Sequence, residues 1–246
     1  MLIETLSTFP HMYDSVMGES MMKRAQEKGI LEFRAHDLRD WTHDRHRTTD
    51  DDPYGGGAGL VMKCDPIFEA VEAILGKEFV EAKLAAAPPQ GESQQRSSAA
   101  PQIVFLAPQG RPFDDAYADK LAAADHLLFI CGHYEGIDER VYTLADHVIS
   151  LGDYVLTSGE LASMVVIDAA VRKLPGVLGA AEGPVDESFT SGLLEYPQYT
   201  RPADFRGMRV PEVLTSGNHA AIARWRREQS LARTAAARTD LIGAAE

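Results

Sequence analysis

Short apolar runs alternate with amphipathic stretches along the first two thirds of the chain. Runs of strand length occupy residues 2–6, 30–34, 103–106, 127–131 and 147–151. The amphipathic stretches predict helices over residues 12–28, where Gly29 ends the helix, and over residues 113–124. Strands that alternate with helices favour an α/β fold with a largely parallel sheet.

One predicted helix, residues 161–173, is apolar on nearly all sides and stops before Pro175. Thr157 and Glu160 precede it in the pattern of a capping box. A helix without a polar face lies in a core or in an interface. Because the neighbouring strands are short, we expect this helix to form a subunit interface.

Segments without periodicity divide the chain. Residues 81–102, rich in Ala, Pro, Gly and Ser, predict a surface insertion. Residues 37–59 form a loop so long that it is either functional or disordered. Asn218 predicts the N-cap of a helix in the last part of the chain. The resulting domains are a catalytic domain at 1–178, a linker at 179–194 and a small helical domain at 195–246.

Composition narrows the class of protein. A chain of 246 residues with 45% hydrophobic residues is long enough to bury a core without disulfides. Cys64 and Cys131 form no CxxC pair, which excludes a disulfide framework and a cysteine-rich zinc site and favours a reducing compartment. With neither a signal-peptide pattern nor a membrane-length apolar run, we expect a cytoplasmic protein without a membrane partner.

The net charge of −13 argues against indiscriminate coating of nucleic acid. The charge is distributed unevenly, however. Residues 198–246 carry a local charge of +3, and the preceding residues carry −16. The basic end of the chain can therefore still contact RNA.

Two motifs in the long loop have open interpretations. The glycine-rich residues 55–59 lack both the dinucleotide fingerprint and the Walker A ending. They predict either a flexible turn or a backbone surface that admits a flat ligand. Nearby, Arg45 and Arg47 are candidates for phosphate or base contacts; the adjacent histidines lack a third ligand at zinc-site spacing.

Three predicted strands end in glycine-containing turns, at residues 106–110, 131–136 and 151–156. In parallel sheets, ligands bind beyond the carboxyl ends of strands. Together these turns predict a pocket walled by backbone groups. Asp168 and Arg172 lie four positions apart on the apolar helix. They form an ion pair, or, as we favour, Arg172 points into a pocket.

The ordered motifs resemble those of the bacterial tRNA (guanine-N1)-methyltransferases of the SPOUT superfamily over essentially the whole chain. The motifs are Thr-His-Asp-Arg-His-Arg-Thr (42–48), Pro-Tyr-Gly-Gly-Gly (53–57), Pro-Gln-Gly-Arg (108–111), Tyr-Glu-Gly-Ile-Asp-Glu-Arg (134–140), Gly-Asp-Tyr-Val-Leu (152–156), Pro-Gly-Val-Leu-Gly (175–179) and Tyr-Thr-Arg-Pro (199–202). The resemblance implies an α/β fold with a deep trefoil knot, a homodimer whose active sites draw on both subunits, and S-adenosylmethionine as methyl donor. It implies as substrate a tRNA with guanosine at positions 36 and 37.

The resemblance also assigns residues to the donor. Ser158 stands where many members have glycine, and the sequence otherwise keeps the pattern. The donor residues that it implies are Leu106, Pro108, Gln109, Gly132, Tyr134, Glu135, Leu151, Gly152, Asp153, Tyr154, Val155, Leu156, Ser158 and Gly159.

The catalytic assignment follows the same resemblance. The carboxylate that removes the guanine N1 proton is Glu187 or its neighbour Asp186, and Arg172 stabilises the charge that develops on O6. Mg²⁺ is implied, although the sequence does not identify its ligands. The implied tRNA contacts are Arg45, His46, Tyr54, Gly57, Gly59, Glu195, Arg224 and Arg227.

Two alternatives remain at this stage. Another knotted methyltransferase, acting on a ribose 2′-hydroxyl or a different base, would keep the donor turns without the linker carboxylate. A non-catalytic RNA-binding module could keep the fold without binding the donor.

Overall fold

The computed structural model describes residues 1–85, 99–179 and 187–242, and the chain divides into two compact units, Met1–Ala181 and Glu182–Glu246. The strands are β1 (Leu2–Ser7), β2 (Glu32–Asp37), β3 (Asp50–Asp51), β4 (Val61–Met62), β5 (Gln102–Pro112), β6 (His126–Ile130), β7 (His147–Ser150), β8 (Asp204–Phe205) and β9 (Met208–Arg209). The α-helices are α1 (Asp14–Met17), α2 (Ser20–Glu27), α3 (Cys64–Leu75), α4 (Lys77–Ala85), α5 (Asp115–Ala122), α6 (Gly159–Val171), α7 (Glu212–Thr215) and α8 (His219–Ala237). Single 3₁₀ turns or short 3₁₀ helices occupy Pro10–Tyr13, Leu38–Trp41, Glu139–Leu144 and Thr239–Leu241.

The first unit is built on a five-stranded sheet in the order β2-β1-β6-β5-β7, in which every neighbouring pair is parallel. The predicted α/β class with a parallel sheet is therefore confirmed. All five predicted strands exist, with shifted ends. The predicted helix over residues 12–28 is wrong in its continuity, because Gly18 and Glu19 separate α1 from α2. Gly29 does follow the end of α2, with a φ of +68°.

Alternating side chains of the central strands enter two separate hydrophobic clusters, one on each face of the sheet. On β5, Val104 packs with α2, α5 and α6, whereas Ile103 and Phe105 pack with α3 and α4. Leu127 and Leu128 of β6 divide in the same way. Both faces are covered, which explains why these strands are continuous apolar runs.

The predicted surface insertion at residues 81–102 is wrong at its start. Residues up to Ala85 belong to α4, whose Val80 and Lys83 are buried. Lys83 pairs with Asp146, a carboxylate that also accepts a hydrogen bond from the backbone N–H of Ile103. Residues 86–98 of the predicted insertion lie outside the described residues.

The second unit contains α7, α8 and a hairpin of β8 and β9 that the sequence did not predict. Its turn places Arg206 and Gly207 at positive φ, as a two-residue hairpin turn of type I′ requires. Asn218 caps α8 as predicted, because its side chain accepts a hydrogen bond from the N–H of Ala221.

Part of the predicted linker lies in this second unit. Residues 180–186 lie outside the described residues, but the N–H of Leu194 donates to the hydroxyl of Thr234 on α8 at 2.9 Å. The predicted domain boundaries stay predictions. Among the described helices, none is long and apolar enough to cross a membrane.

Candidate functional site

A cavity of about 320 Å³ opens beside the ends of β5, β6 and β7; we call it the sheet-end cavity. Small-molecule sites typically have volumes of about 300–1,000 Å³. The edge of a parallel sheet where the strands end suits a ligand, because loops from neighbouring strands meet there. The lining includes these predicted donor residues: Leu106, Pro108, Gln109, Gly132, Tyr134, Glu135, Leu151, Gly152, Tyr154, Val155, Leu156, Ser158 and Gly159.

The structure therefore brings the three predicted turns together. Asp153 differs from the other predicted donor residues, since it is exposed and does not line the cavity. That these residues bind the methyl donor stays a prediction. Lining residues that the sequence analysis did not name as donor residues include His133, Ile137, Glu139, Tyr142 and Ala162.

An irregularity in β5 forms the first wall. The register against β7 shifts between Leu106 and Arg111, so residues 107–110 leave the ladder and Ala107, Pro108 and Gln109 border the cavity. A Cβ on Gly110 would lie 2.5 Å from the backbone of Ile149, so only glycine fits there. The predicted strand ended at residue 106 because proline and glycine indicate a turn; in the structure the strand resumes beyond them.

The second wall is the turn after β6. Tyr134 adopts a φ of +60° and is half exposed. The N–H of Glu135 donates to the carbonyl of Leu60 at 3.1 Å, which ties this turn to the glycine-rich loop. A Cβ on Gly59 would meet the Glu135 side chain at 2.4 Å. The absence of a side chain at Gly59 therefore makes room for Glu135 of the same chain.

The third wall consists of the segment after β7 and the N-terminus of α6. The N–H of Gly159 donates to the carbonyl of Gly132 at 2.8 Å, and a Cβ on Gly159 would lie 2.7 Å from the Gly132 nitrogen. The predicted capping box is wrong. The N-cap is Ser158, whose side chain makes no capping hydrogen bond. Glu160 is fully buried and does not return to the cap.

Glu160 instead binds two other segments. One carboxylate oxygen accepts a hydrogen bond from the hydroxyl of Ser7, at the end of β1, and the other from Nε2 of His133 at 2.7 Å. His133 lines the cavity, so the buried carboxylate orients part of its wall. A glutamate at the start of an otherwise apolar helix was the sequence signal for a buried carboxylate. The capping-box interpretation gave that glutamate a different role.

The electrostatics of the sheet-end cavity are acidic. Its charged lining residues are Glu135 and Glu139, and no Lys or Arg is among the lining residues of the described chain. Cys131 lies behind the wall, where burial first and the Glu160 charge second raise the pKa of its thiol to about 12. The cavity thus offers neither a phosphate-binding cation nor a reactive thiolate.

The predicted tRNA contacts in the long loop lie at the surface. Tyr54 is fully exposed, and Gly57 has a φ of +140°. Asp44 organises the nearby turn by accepting hydrogen bonds from the N–H groups of Thr48 and His46, each at 2.8 Å. The bond from Thr48 foremost lowers the pKa of that carboxyl. Arg45 and His46 remain exposed.

Arg47, which the sequence grouped with Arg45, forms an ion pair with Asp40. Its Nε also donates to the carbonyl of Arg39 at 3.1 Å. These two interactions give Arg47 a role in closing the loop. Both arginines are exposed, and Arg45 is the one that has no ion pair among the described residues.

Arg172 is the C-cap of α6 and does not line the sheet-end cavity of its own chain. Its backbone N–H donates to the carbonyl of Asp168 at 3.1 Å. At 1.5 Å per residue, α6 separates Arg172 from Gly159 by roughly 20 Å. Within the chain, the structure does not bring Arg172 and the donor residues together.

The second unit has a cavity of its own, of about 470 Å³. The predicted residues Glu187, Glu195 and Arg227 line it, whereas Arg224 is exposed outside it. Arg226 stacks over the ring of Tyr196 with its guanidinium 4.5 Å from the ring centroid. Asp186, the alternative base, lies outside the described residues.

The described residues contain no group of three or more His, Cys, Asp or Glu that could hold a metal ion. Mg²⁺ stays a prediction of the resemblance, because one or two carboxylates together with waters are enough to hold it.

Comparison with known proteins identifies the family of the chain. The family model described as tRNA (Guanine-1)-methyltransferase TrmD matches residues 1–244. A tRNA (guanine-N(1)-)-methyltransferase of Symbiobacterium thermophilum is 52% identical over 100% of this chain and 93% of its own. Proteins of the same name from Limosilactobacillus reuteri and Geobacillus kaustophilus are each 50% identical, over 100% and 98% of this chain and 91% of their own lengths. The chain belongs to the tRNA (guanine-N1)-methyltransferase family.

Proposed function

We propose that this protein transfers the methyl group of S-adenosylmethionine to N1 of guanosine 37 in tRNA whose position 36 is also guanosine. The sheet-end cavity is the observation that carries the proposal. It gathers the turns of three parallel strands at one edge, and its lining among the described residues includes Glu135 and Glu139 but neither Lys nor Arg. That lining suits a ligand with a sulfonium and an amino group better than a nucleotide with phosphates.

S-adenosylmethionine, when bound, supplies an electrophilic methyl group. The residues of the chain do the rest. Guanine N1 carries a proton at neutral pH, so a carboxylate must accept it; Glu187 is our choice, and Asp186 is the alternative. Loss of that proton builds negative charge on O6, which the guanidinium of Arg172 stabilises.

A homodimer would bring Arg172 of one copy to the sheet-end cavity of the other. Leu161 and Val165 on α6 are 46% and 55% exposed, and Asp168 one turn further is exposed as well, although most of this helix is buried. A two-fold axis beside α6 would bury this apolar face in an isologous interface. Two antiparallel α6 helices would then place Arg172 of one copy near the Ser158 end of the other.

The tRNA is held by exposed basic and aromatic groups. Arg45, His46 and Tyr54 in the long loop, and Arg224 and Arg227 in the second unit, are available for phosphate and base contacts. Gly57, Gly59 and Glu195 complete the proposed set. The trefoil knot and a cytoplasmic location, where tRNA is modified, belong to the same proposal.

Transfer of a labelled methyl group to two tRNA transcripts tests the function. One transcript has guanosine at positions 36 and 37, and the other has adenosine at position 37. We expect label on the first transcript alone. Label on both transcripts would place the target elsewhere in the RNA and favour another methyltransferase activity. Label on neither would overturn the proposal.

A further inference from the structure

The hydroxyl of Ser158 is a buried polar group without a partner. Ser158 is 6% exposed, and its Oγ has no hydrogen-bond partner in the part of the chain that the structure describes. As N-cap of α6 it could bond to the backbone of the first helical turn, yet its side chain makes no such bond. A buried hydroxyl in this condition costs stability, because it has lost its hydrogen bonds to water.

The backbone of Ser158 is held in place by contacts with the turn after β6. Ser158 forms a β-bridge with His133, and the next residue, Gly159, donates its N–H to Gly132 at 2.8 Å. These contacts hold the backbone of Ser158 against the turn after β6. The free space beside Ser158 is the sheet-end cavity, which it lines.

A second serine that lines the same cavity has a hydroxyl with a hydrogen-bond partner. Ser150 is 8% exposed and also lines the cavity, and the N–H of Gly152 donates to its Oγ at 3.3 Å. The two serines share a residue type, a cavity and a degree of burial. They differ in that Ser158 has its hydroxyl available for a ligand.

We propose that the Ser158 hydroxyl forms a hydrogen bond with a polar atom of the S-adenosyl ligand in the sheet-end cavity. The inference rests on the proposed function, because it takes that ligand as the occupant. It goes beyond the position of Ser158 in a donor site, since it assigns a bond to the hydroxyl itself. Glycine at this position cannot make this bond.

The proposal predicts opposite effects on folding and on binding. In Ser158→Ala, the affinity for S-adenosylhomocysteine measured by calorimetry falls about fivefold, the size of one hydrogen bond. The free energy of unfolding of the ligand-free protein in urea stays the same or rises, because an unsatisfied buried group is gone. Ser150→Ala is the matched control, and its free energy of unfolding falls.

The outcomes separate the two proposals. If wild type binds the ligand and Ser158→Ala binds it equally well, the role of the hydroxyl is wrong and the function stands. If Ser158→Ala is less stable than wild type, the hydroxyl has a structural bond and the inference is again wrong. If wild type binds neither S-adenosylmethionine nor S-adenosylhomocysteine, both proposals fall.

A shortened ligand identifies the part of the molecule that Ser158 contacts. Methylthioadenosine keeps the nucleoside and lacks the amino-acid group. If Ser158→Ala weakens its binding as well, the hydroxyl contacts the nucleoside. If only S-adenosylhomocysteine loses affinity, the hydroxyl contacts the amino-acid group. Either result supports the inference.

Discussion

Nε2 of His133 and the buried carboxylate of Glu160 lie 2.7 Å apart, and the imidazole N–H donates to the carboxylate. The other oxygen of Glu160 accepts a hydrogen bond from Ser7. The ends of β1 and β6 and the first turn of α6 therefore meet at one carboxylate. A fully buried carboxylate is tolerated where hydrogen bonds replace its hydration, and here those bonds also fix a wall of the sheet-end cavity.

Glu160→Gln should lower the free energy of unfolding by about 2 kcal/mol, because a neutral amide accepts a weaker hydrogen bond from His133 than the carboxylate does, and the Ser7 hydroxyl must turn from donating to accepting. Affinity for S-adenosylhomocysteine should fall with it, since His133 loses its orientation. Urea denaturation and calorimetry measure the two effects. Glu139→Gln is the control, because Glu139 lines the same cavity but is exposed. Equal stability of the two variants would contradict the prediction.

Gly159→Ala should abolish donor binding and destabilise the protein, since its Cβ would lie 2.7 Å from the nitrogen of Gly132 and 3.0 Å from the Cα of Cys131. Both neighbours are backbone atoms, so α6 would have to move away from β6. Gly179→Ala meets nothing within 4 Å and should melt like wild type. Thermal melts with and without ligand check both variants. Normal ligand stabilisation of Gly159→Ala would show that the close contact is not needed.

Buried His147 should make the protein less stable in acid. Burial foremost, and then the charge of Lys120, lower its pKa from 6.5 to about 4. The unfolded chain therefore takes up this proton at a higher pH than the folded protein does. Stability contributed by neutral His147 is complete above pH 6.5 and declines as the pH falls towards 4, by on the order of 3 kcal/mol.

His147→Gln tests this assignment. Nδ1 of His147 lies 2.9 Å from the hydroxyl of Tyr117 and Nε2 lies 2.7 Å from Oε1 of Gln102, and an uncharged amide can still form hydrogen bonds there. Urea denaturation at a series of pH values should show a smaller decline between pH 6.5 and 4 in the variant. Parallel profiles for wild type and variant would assign the acid sensitivity to other groups.

The sequence predicted the sheet and the three turns because the signals for both are local. Apolar runs as short as residues 127–131 favour strands over helices, and glycine marks the turns that follow. The break at Gly18, the resumption of β5 after Gly110 and the helix α4 were missed. Each depends on what the segment packs against, which periodicity does not show.

The partners of buried polar groups could not be predicted either. Glu160 lies 153 positions from Ser7 along the chain, and their hydrogen bond exists only because the fold brings β1 against α6. Thr157 and Glu160 matched a local capping pattern, so the local interpretation was preferred. Ser158 was named for its position in a motif, and only burial in the folded protein shows that its hydroxyl is unsatisfied.

Val165→Glu should convert the proposed dimer into a monomer. Val165 is 55% exposed on the apolar face of α6, and a carboxylate buried in a two-fold interface would face its own copy. Sedimentation measures the mass. Val16→Glu, which changes a 38% exposed valine on α1, should leave the mass unchanged. A monomeric wild type would contradict the proposed dimer.

Mixing two inactive variants should restore methyl transfer if each active site uses both copies. Arg172→Ala keeps an intact sheet-end cavity, and Gly132→Val narrows that cavity while keeping Arg172. In a hybrid dimer, the intact cavity of the first variant meets the intact arginine of the second, so one of the two sites is complete. We expect each variant alone to be inactive, and the mixture, after unfolding and refolding together, to recover activity.

If Arg172 served the cavity of its own chain, no hybrid would hold a complete site and the mixture would stay inactive. Because α6 separates the two groups by roughly 20 Å, we expect recovery.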